Sequence, residues 1–146
     1  MAELMAEALL AARVWPAADG APRFSPARVD AVAFVPATEA AFARRGFDHM
    51  ELVSRELAAR LGMPLADVLA RSSAKDQREL GRDERHRNLR GTVAVLDDVR
   101  GASILLADDV ITTGASVREA ARALLERGAA SVTACAFARV LQRVLV

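Results

Sequence analysis

Residues 103–116 read Ser-Ile-Leu-Leu-Ala-Asp-Asp-Val-Ile-Thr-Thr-Gly-Ala-Ser: an apolar run, two carboxylates, a small polar turn and the start of a helical pattern. In open parallel sheets ligands gather beyond the carboxyl ends of the strands, so Asp108 and Asp109 stand where chemistry is expected. The turn Thr112-Thr113-Gly114-Ala115-Ser116 offers hydroxyl donors, unpaired backbone N–H groups and the positive end of a helix dipole. Together these hold a phosphate, and Gly114 lets the backbone approach it closely. Two carboxylates would repel that phosphate, so they are read as acceptors for sugar hydroxyls beside it. A phosphorylated sugar meets both demands. A plainer alternative makes the acidic pair a strand end and Ser116 with Glu119 a Ser-x-x-Glu capping box. That reading leaves two adjacent charges after a buried strand without ligand or partner, which is costly.

The elements that must position these residues follow from periodicity. The first 14 residues repeat Leu4, Met5, Ala8, Leu9 and Ala12 at helical spacing. With Glu3, Glu7 and Arg13 among them and no basic leading region, they predict an amphipathic helix and not a signal peptide. Pro16, Gly20, Pro22 and Pro26 mark a connecting loop. Residues 29–35 form a short β-branched run stopped by Pro36, which suits a strand buried on both faces. After a loop with Arg44-Arg45-Gly46, residues 47–61 place Phe47, Met50, Val53, Leu57 and Leu61 on one helical face, ended by Gly62 and Pro64. Residues 65–70 predict a short strand, 92–96 another, 103–107 a buried strand, 115–127 the clearest helix and 131–138 a third buried strand. In that helix Val117, Ala120, Ala121, Leu124 and Leu125 face inward, with Gly128 just past its end. Between them, residues 71–90 are almost wholly polar, a length of loop that in a compact domain is usually functional or disordered. Strands alternating with helices give an α/β fold around a mostly parallel sheet flanked by helices. Residues 1–146 are read as one domain, with an N-terminal helix and connector over 1–28 and a core over 29–139.

Composition narrows the function classes. Hydrophobic residues at 53% and charged residues at 27% fit a packed soluble domain. Lys+Arg 20 against Asp+Glu 19 gives a net charge of +1, so any attraction to nucleic acid or anionic membrane must be local. Aromatics are 4%, without Tyr and with a single Trp, which disfavours a base-stacking platform. The lone Cys135 can form neither an internal disulfide nor a multi-cysteine zinc site, and points to a reducing, cytoplasmic setting. Cys135 itself reads as a core residue, as do Met5, Met50 and Met63. His49 and His86 lack a second ligand at metal-binding spacing and read as structural or solvent-facing.

The acidic pair followed by Val110-Ile111-Thr112-Thr113-Gly114-Ala115-Ser116 resembles the signature of type I phosphoribosyltransferases, which bind 5-phosphoribosyl 1-pyrophosphate. Over residues 29–139, Val35-Pro36, Arg44-Arg45-Gly46-Phe47-Asp48-His49, Gln77, Leu80, Arg85, Asn88-Leu89 and Gly91 resemble the ComF family of competence proteins. Two features depart from that pattern: the family's four-cysteine zinc ribbon is absent from these residues, and Asp48-His49 replace Asn-Gln. The resemblance implies a Rossmann-like sheet with a small hood and a mobile lid loop, and Mg²⁺ with Asp108 and Asp109 as its candidate ligands and catalytic acids. It assigns those two carboxylates to the ribose hydroxyls, residues 112–116 to the 5-phosphate, and Val110 and Ile111 to substrate binding beside them. It also assigns the loop at 36–45, with Ala37, Thr38, Glu39, Arg44 and Arg45, to pyrophosphate. The lid position falls on residues 71–90, whose Lys75, Arg78, Arg82, Arg85, Arg87 and Arg90 would close over pyrophosphate.

Two activities follow as expectations. One is transfer of the phosphoribosyl group to a nitrogen nucleophile with release of pyrophosphate, the oxocarbenium-like transition state being met by metal and cationic groups. The other is a ComF-like competence or DNA-uptake module that binds the same ligand or a nucleotide, and single-stranded DNA through its basic loop. The acceptor is not legible in residues 65–70, 91–96 or the N-terminal helix, although that helix could supply a homodimer interface. No membrane span is expected.

Overall fold

The computed structural model of the chain describes residues 1–12, 24–71 and 92–140. Its centre is a parallel three-stranded sheet in the order β1-β4-β5, formed by Ala31–Phe34 (β1), Ser103–Ile111 (β4) and Ser131–Arg139 (β5). The register sets Ala31 beside Ile104 and Phe34 beside Ala107. Asp30 fixes it by accepting the Ser103 N–H at 2.8 Å. Between β1 and β4 the chain forms the helices Glu39–Arg45 (α2) and His49–Leu61 (α3), then an antiparallel pair of Leu69–Arg71 (β2) and Val93–Val95 (β3). Helix Ala115–Glu126 (α4) joins β4 to β5, and Ala2–Ala11 forms α1.

Side chains alternate across the sheet, and the two faces build two cores. Ala33, Ile104 and Leu106 pack with Val117, Ala120 and Leu124 of α4 and with Leu69 and Val93 of the antiparallel pair. Val32, Phe34, Leu105 and Ala107 pack with Met50 and Leu57 of α3 and with Met5 and Leu9 of α1. Leu57, Leu105, Leu106 and Leu124 are fully enclosed, and truncating a leucine so placed to alanine costs about 2–5 kcal/mol.

Several expectations are corrected by this arrangement. Strand β4 does not stop at residue 107 but runs nine residues through Asp108 and Asp109. It can do so because β5 goes on pairing with it, Asp108 beside Ala136 and Ile111 beside Arg139, while β1 ends at Phe34 opposite Ala107 and leaves the acidic pair projecting past that neighbour. The loop expected at 36–45 is half helix: Thr38 caps α2 by accepting the Ala41 N–H at 3.2 Å, and Gly46 closes it in the left-handed region at φ +80°. The strand expected over 65–70 divides. Leu65 bridges to Val32 on the outer side of β1, and only Leu69–Arg71 pairs with β3. Strand β5 is largely exposed rather than buried: Val132 and Cys135 are the side chains by which it packs against the two cores. Helix α1 buries Ala2, Met5, Ala6 and Leu9, leaving Leu4 and Ala8 outside the contact with α3. Phe47 precedes α3 and is exposed, and Leu125 is exposed on α4, where Ala123 takes the inward place. The helix that residues 47–61 predict begins at His49, with Asp48 as its cap. No helix among the described residues is long and apolar enough to cross a membrane.

Candidate functional site

Beyond the end of β1, a cavity of about 220 Å³ opens between the loop after β1, the start of α3, the end of β2 and the end of β4. It brings together Ala37, Thr38, Arg45, Asp108, Asp109, Val110 and Ser116, seven of the residues singled out by sequence, with His49 and Arg71, which were not. Ile111, Thr112, Thr113, Gly114 and Ala115 continue from it as the turn into α4 without forming its wall, and Arg44 is exposed on α2 outside it. Lys75, Arg78, Arg82, Arg85, Arg87 and Arg90, the expected lid cations, lie outside the described residues.

The turn into α4 is built for a close backbone approach. Gly114 is the N-cap of α4 at φ +75°, and the Thr113 hydroxyl accepts the Ala115 N–H at 3.3 Å. Ser116 is therefore inside the helix, and the capping box with Glu119 does not form. Glu119 is buried and accepts two bonds from Arg122, at 2.7 and 3.0 Å. The Ser116 hydroxyl instead accepts from Arg71 Nη2 at 3.2 Å, while Arg71 Nε donates to the Pro36 carbonyl at 3.2 Å. One guanidinium thus spans the loop after β1 and the N-terminus of α4.

Asp48 makes a second tie. Its Oδ1 caps α3 by accepting the Met50 N–H at 2.9 Å, and its Oδ2 accepts the Ala37 N–H at 2.6 Å. The motif Arg45-Gly46-Phe47-Asp48 therefore fixes the loop after β1 against α3: Gly46 turns the chain and Asp48 clamps it. Beside it, His49 Nε2 lies 2.9 Å from Asp109 Oδ2. The ionised carboxylate is acceptor-only, so the histidine donates.

The two carboxylates differ electrostatically. Burial pushes Asp108 up to about 6, with the charge of Asp109 adding to the rise and the Asp109 N–H and Arg71 opposing it. Asp109 is also pushed up by burial, but its bonds from His49 and Val110 N–H outweigh this and hold it below the ordinary carboxylate value. Of the two carboxyls, Asp108 is the one that ionises at the higher pH. On the cavity wall, Arg45 Nε and His49 Nδ1 are buried without a hydrogen-bond partner. Among the described residues no group of three or more His, Cys, Asp and Glu side chains could cage a metal ion.

Sequence reasoning missed His49 and Arg71 for different reasons. Arg71 opens the cationic stretch 71–90 and could have been separated from it as the end of a strand. His49 stands in a motif that the sequence marks, but it reads as structural or solvent-facing there because its partner is 60 residues away.

A phosphoribosyl transferase domain model matches residues 43–146. The chain is 34% identical over 114 residues to the DNA utilization protein YhgH of Salmonella typhi, covering 77% of this chain and 50% of that protein. It is 32% identical over 114 residues to the protein of the same name in Escherichia coli K12, with the same coverage, 77% and 50%. The chain thus spans about half the length of the curated relatives it matches. Among solved structures it is similar to the glutamine phosphoribosylpyrophosphate amidotransferase of B. subtilis, with 20% identity and TM-score 0.52 over 74% of this chain and 22% of that one. The purine phosphoribosyltransferase of Pyrococcus horikoshii Ot3 gives 16% identity and TM-score 0.52 over 97% of this chain and 83% of that one. At such identities the likeness is one of fold, and it bears out the α/β class expected from the alternation of strands and helices. The match takes in the strand, the turn and the helices that enclose the cavity, and the chain belongs to the phosphoribosyl transferase domain family.

Proposed function

We propose that the cavity binds 5-phosphoribosyl 1-pyrophosphate with Mg²⁺, and that the protein transfers the phosphoribosyl group to a nitrogen nucleophile with release of pyrophosphate. The observation that carries this reading is the projection of Asp108 and Asp109 past the end of β1, beside a glycine-capped helix N-terminus. The carboxylates accept the ribose 2- and 3-hydroxyls. The turn at 112–116 receives the 5-phosphate on its N–H groups and hydroxyls. Pyrophosphate lies against Ala37 and Thr38, with Arg45 and Arg71 as the cations within the described residues, and Lys75 and Arg85 are proposed to join them from the segment beyond β2.

The donor chemistry suits magnesium. Asp108 and Asp109 offer hard oxygen ligands, and a site without an all-protein cage matches an ion that is held by one or two carboxylates plus substrate phosphates. When bound, Mg²⁺ neutralises charge that develops on the departing pyrophosphate. The chain's own contribution is positional: Arg71 and Asp48 hold the loop after β1 against the rest of the site, so the leaving group meets donors already in place.

The test is calorimetric titration of Mg²⁺ and phosphoribosyl pyrophosphate into the protein and into the double variant Asp108→Asn, Asp109→Asn, followed by pyrophosphate release with bases, amines and ammonia. Binding lost in the variant supports the site. Absence of binding in the wild type removes the proposal, and binding without release against any acceptor removes its transfer step. The name of the relatives, DNA utilization protein, favours a second reading in which the domain serves DNA handling. That reading expects single-stranded DNA binding that weakens steeply with salt and is lost on changing Arg82, Arg85 and Arg87 to alanine.

A further inference from the structure

We infer that His49 is a positioning residue that sets the orientation of Asp109 toward the ribose, and that the first turn of α3 locks the ribose side of the site to its pyrophosphate side. The inference rests on the ligand proposed above. Asp109 lies on β4 and His49 on α3, and His49 Nε2 to Asp109 Oδ2 at 2.9 Å is a side-chain hydrogen bond between those elements at the cavity. The other carboxylate oxygen, Oδ1, accepts the Val110 N–H at 2.6 Å. Two donors on opposite oxygens fix rotation about the last side-chain bond of Asp109. A carboxylate has acceptor sites for about four hydrogen bonds, so each oxygen keeps capacity for a sugar hydroxyl.

The histidine is itself held. Its backbone begins α3, and the residue before it, Asp48, both caps that helix and accepts the Ala37 N–H of the loop after β1. Adjacent residues on one helical turn therefore reach in two directions, Asp48 to the pyrophosphate-side loop and His49 to the ribose-side acid. A shift of α3 moves both ends together. The ring's Nδ1 is buried without a partner, so no competing bond draws the imidazole away from Asp109. Arg71 makes a separate connection, from Pro36 to Ser116, and does not touch the Asp109 side.

The experiment compares wild type, His49→Ala and His49→Gln by calorimetry with three probes in Mg²⁺ buffer: phosphoribosyl pyrophosphate, ribose 5-phosphate and inorganic pyrophosphate. Glutamine can reach with an amide N–H. In His49→Ala, affinity for phosphoribosyl pyrophosphate and ribose 5-phosphate should fall by about tenfold or more, the scale of a lost hydrogen bond to a charged group. Affinity for pyrophosphate should hold, and His49→Gln should recover most of the loss. Thermal unfolding checks that each variant is folded, and should His49→Ala fail there, the Gln variant and an Asn variant too short to reach Asp109 make the same comparison. Wild-type binding with equal ribose 5-phosphate affinity in all variants overturns the role of His49 while leaving the ligand reading intact. A uniform loss for all three probes, unrescued by glutamine, overturns it as well. No binding by the wild type removes the underlying ligand reading instead.

Discussion

Replacing Asp108 with asparagine should make the ligand-free protein more stable at neutral pH while abolishing binding of phosphoribosyl pyrophosphate. Burial raises the Asp108 carboxyl from 3.8 to about 6, with Asp109 adding to the rise. Between those values the folded protein binds a proton that the unfolded chain releases, so the acid form favours folding. Wild-type stability from this group is complete below pH 3.8 and is lost as pH rises through about 6. The interval of about two units corresponds to roughly 3 kcal/mol at 1.36 kcal/mol per unit. Asparagine cannot ionise, and its carbonyl can still accept the Asp109 N–H that Asp108 Oδ1 accepts at 3.0 Å. Urea unfolding of both proteins in EDTA, at about pH 4 and about pH 8, reads Asp108 together with its coupling to Asp109, because groups that do not interact with Asp108 cancel in the difference. The variant's advantage should grow by about 2–3 kcal/mol from the acid to the neutral condition. Parallel pH profiles would refute the reasoning: Asp108 would then be as well solvated in the folded state as in the unfolded one.

Gly114→Ala places a Cβ 3.1 Å from Arg118 Nη1 and 3.7 Å from Ile111 Cγ2 at φ +75°; since the arginine can swing away, the cost is mainly backbone, about 1–2 kcal/mol. Gly114→Asn should cost measurably less in urea unfolding, because asparagine tolerates the left-handed region, and equal costs would place the penalty elsewhere. Burial, with the charge of Asp108 adding to it, pushes the Cys135 thiol up to about 12, so alkylation by iodoacetamide at about pH 8.5 should be at least about a hundredfold slower in the folded protein than in urea. Equal rates would contradict the packing of Cys135 beside the α1–α3 core.

The strand, turn and helix over 103–126 were legible because each step has its own signal: a β-branched apolar run, Thr-Thr-Gly, then apolar residues at helical spacing ended by Gly128. What escaped was set by neighbours. Carboxylates look like strand terminators, yet β4 continues through them because β5 pairs with it as far as Ile111, while β1 ends first. Residues 131–138 look buried by composition, but burial of β5 depends on which of its side chains other elements cover, and Val132 and Cys135 are those that join the cores. The signals for α2 were present: Thr38 as cap, an alanine-rich run of helix formers and Gly46 as stop. Seven residues make about two turns, too few for hydrophobic periodicity to separate a helix from a loop. The contacts that knit the site, Asp48 to Ala37, Arg71 to Ser116 and His49 to Asp109, span 11, 45 and 60 residues. No local pattern encodes them.

One further step was available from register alone. Successive residues of a strand face opposite sides, and β4 sends Ile104 and Leu106 toward α4 but Leu105 and Ala107 toward α3. Continuing that alternation, Asp108 belongs to the α4 side and Asp109 to the α3 side. The observed partners agree: the charge of Arg71, bonded to Ser116 of α4, acts on Asp108, while His49 of α3 bonds Asp109. Two adjacent acids of the same type thereby acquire different environments, one raised by burial and one lowered by its donors. The division follows from an unbroken strand.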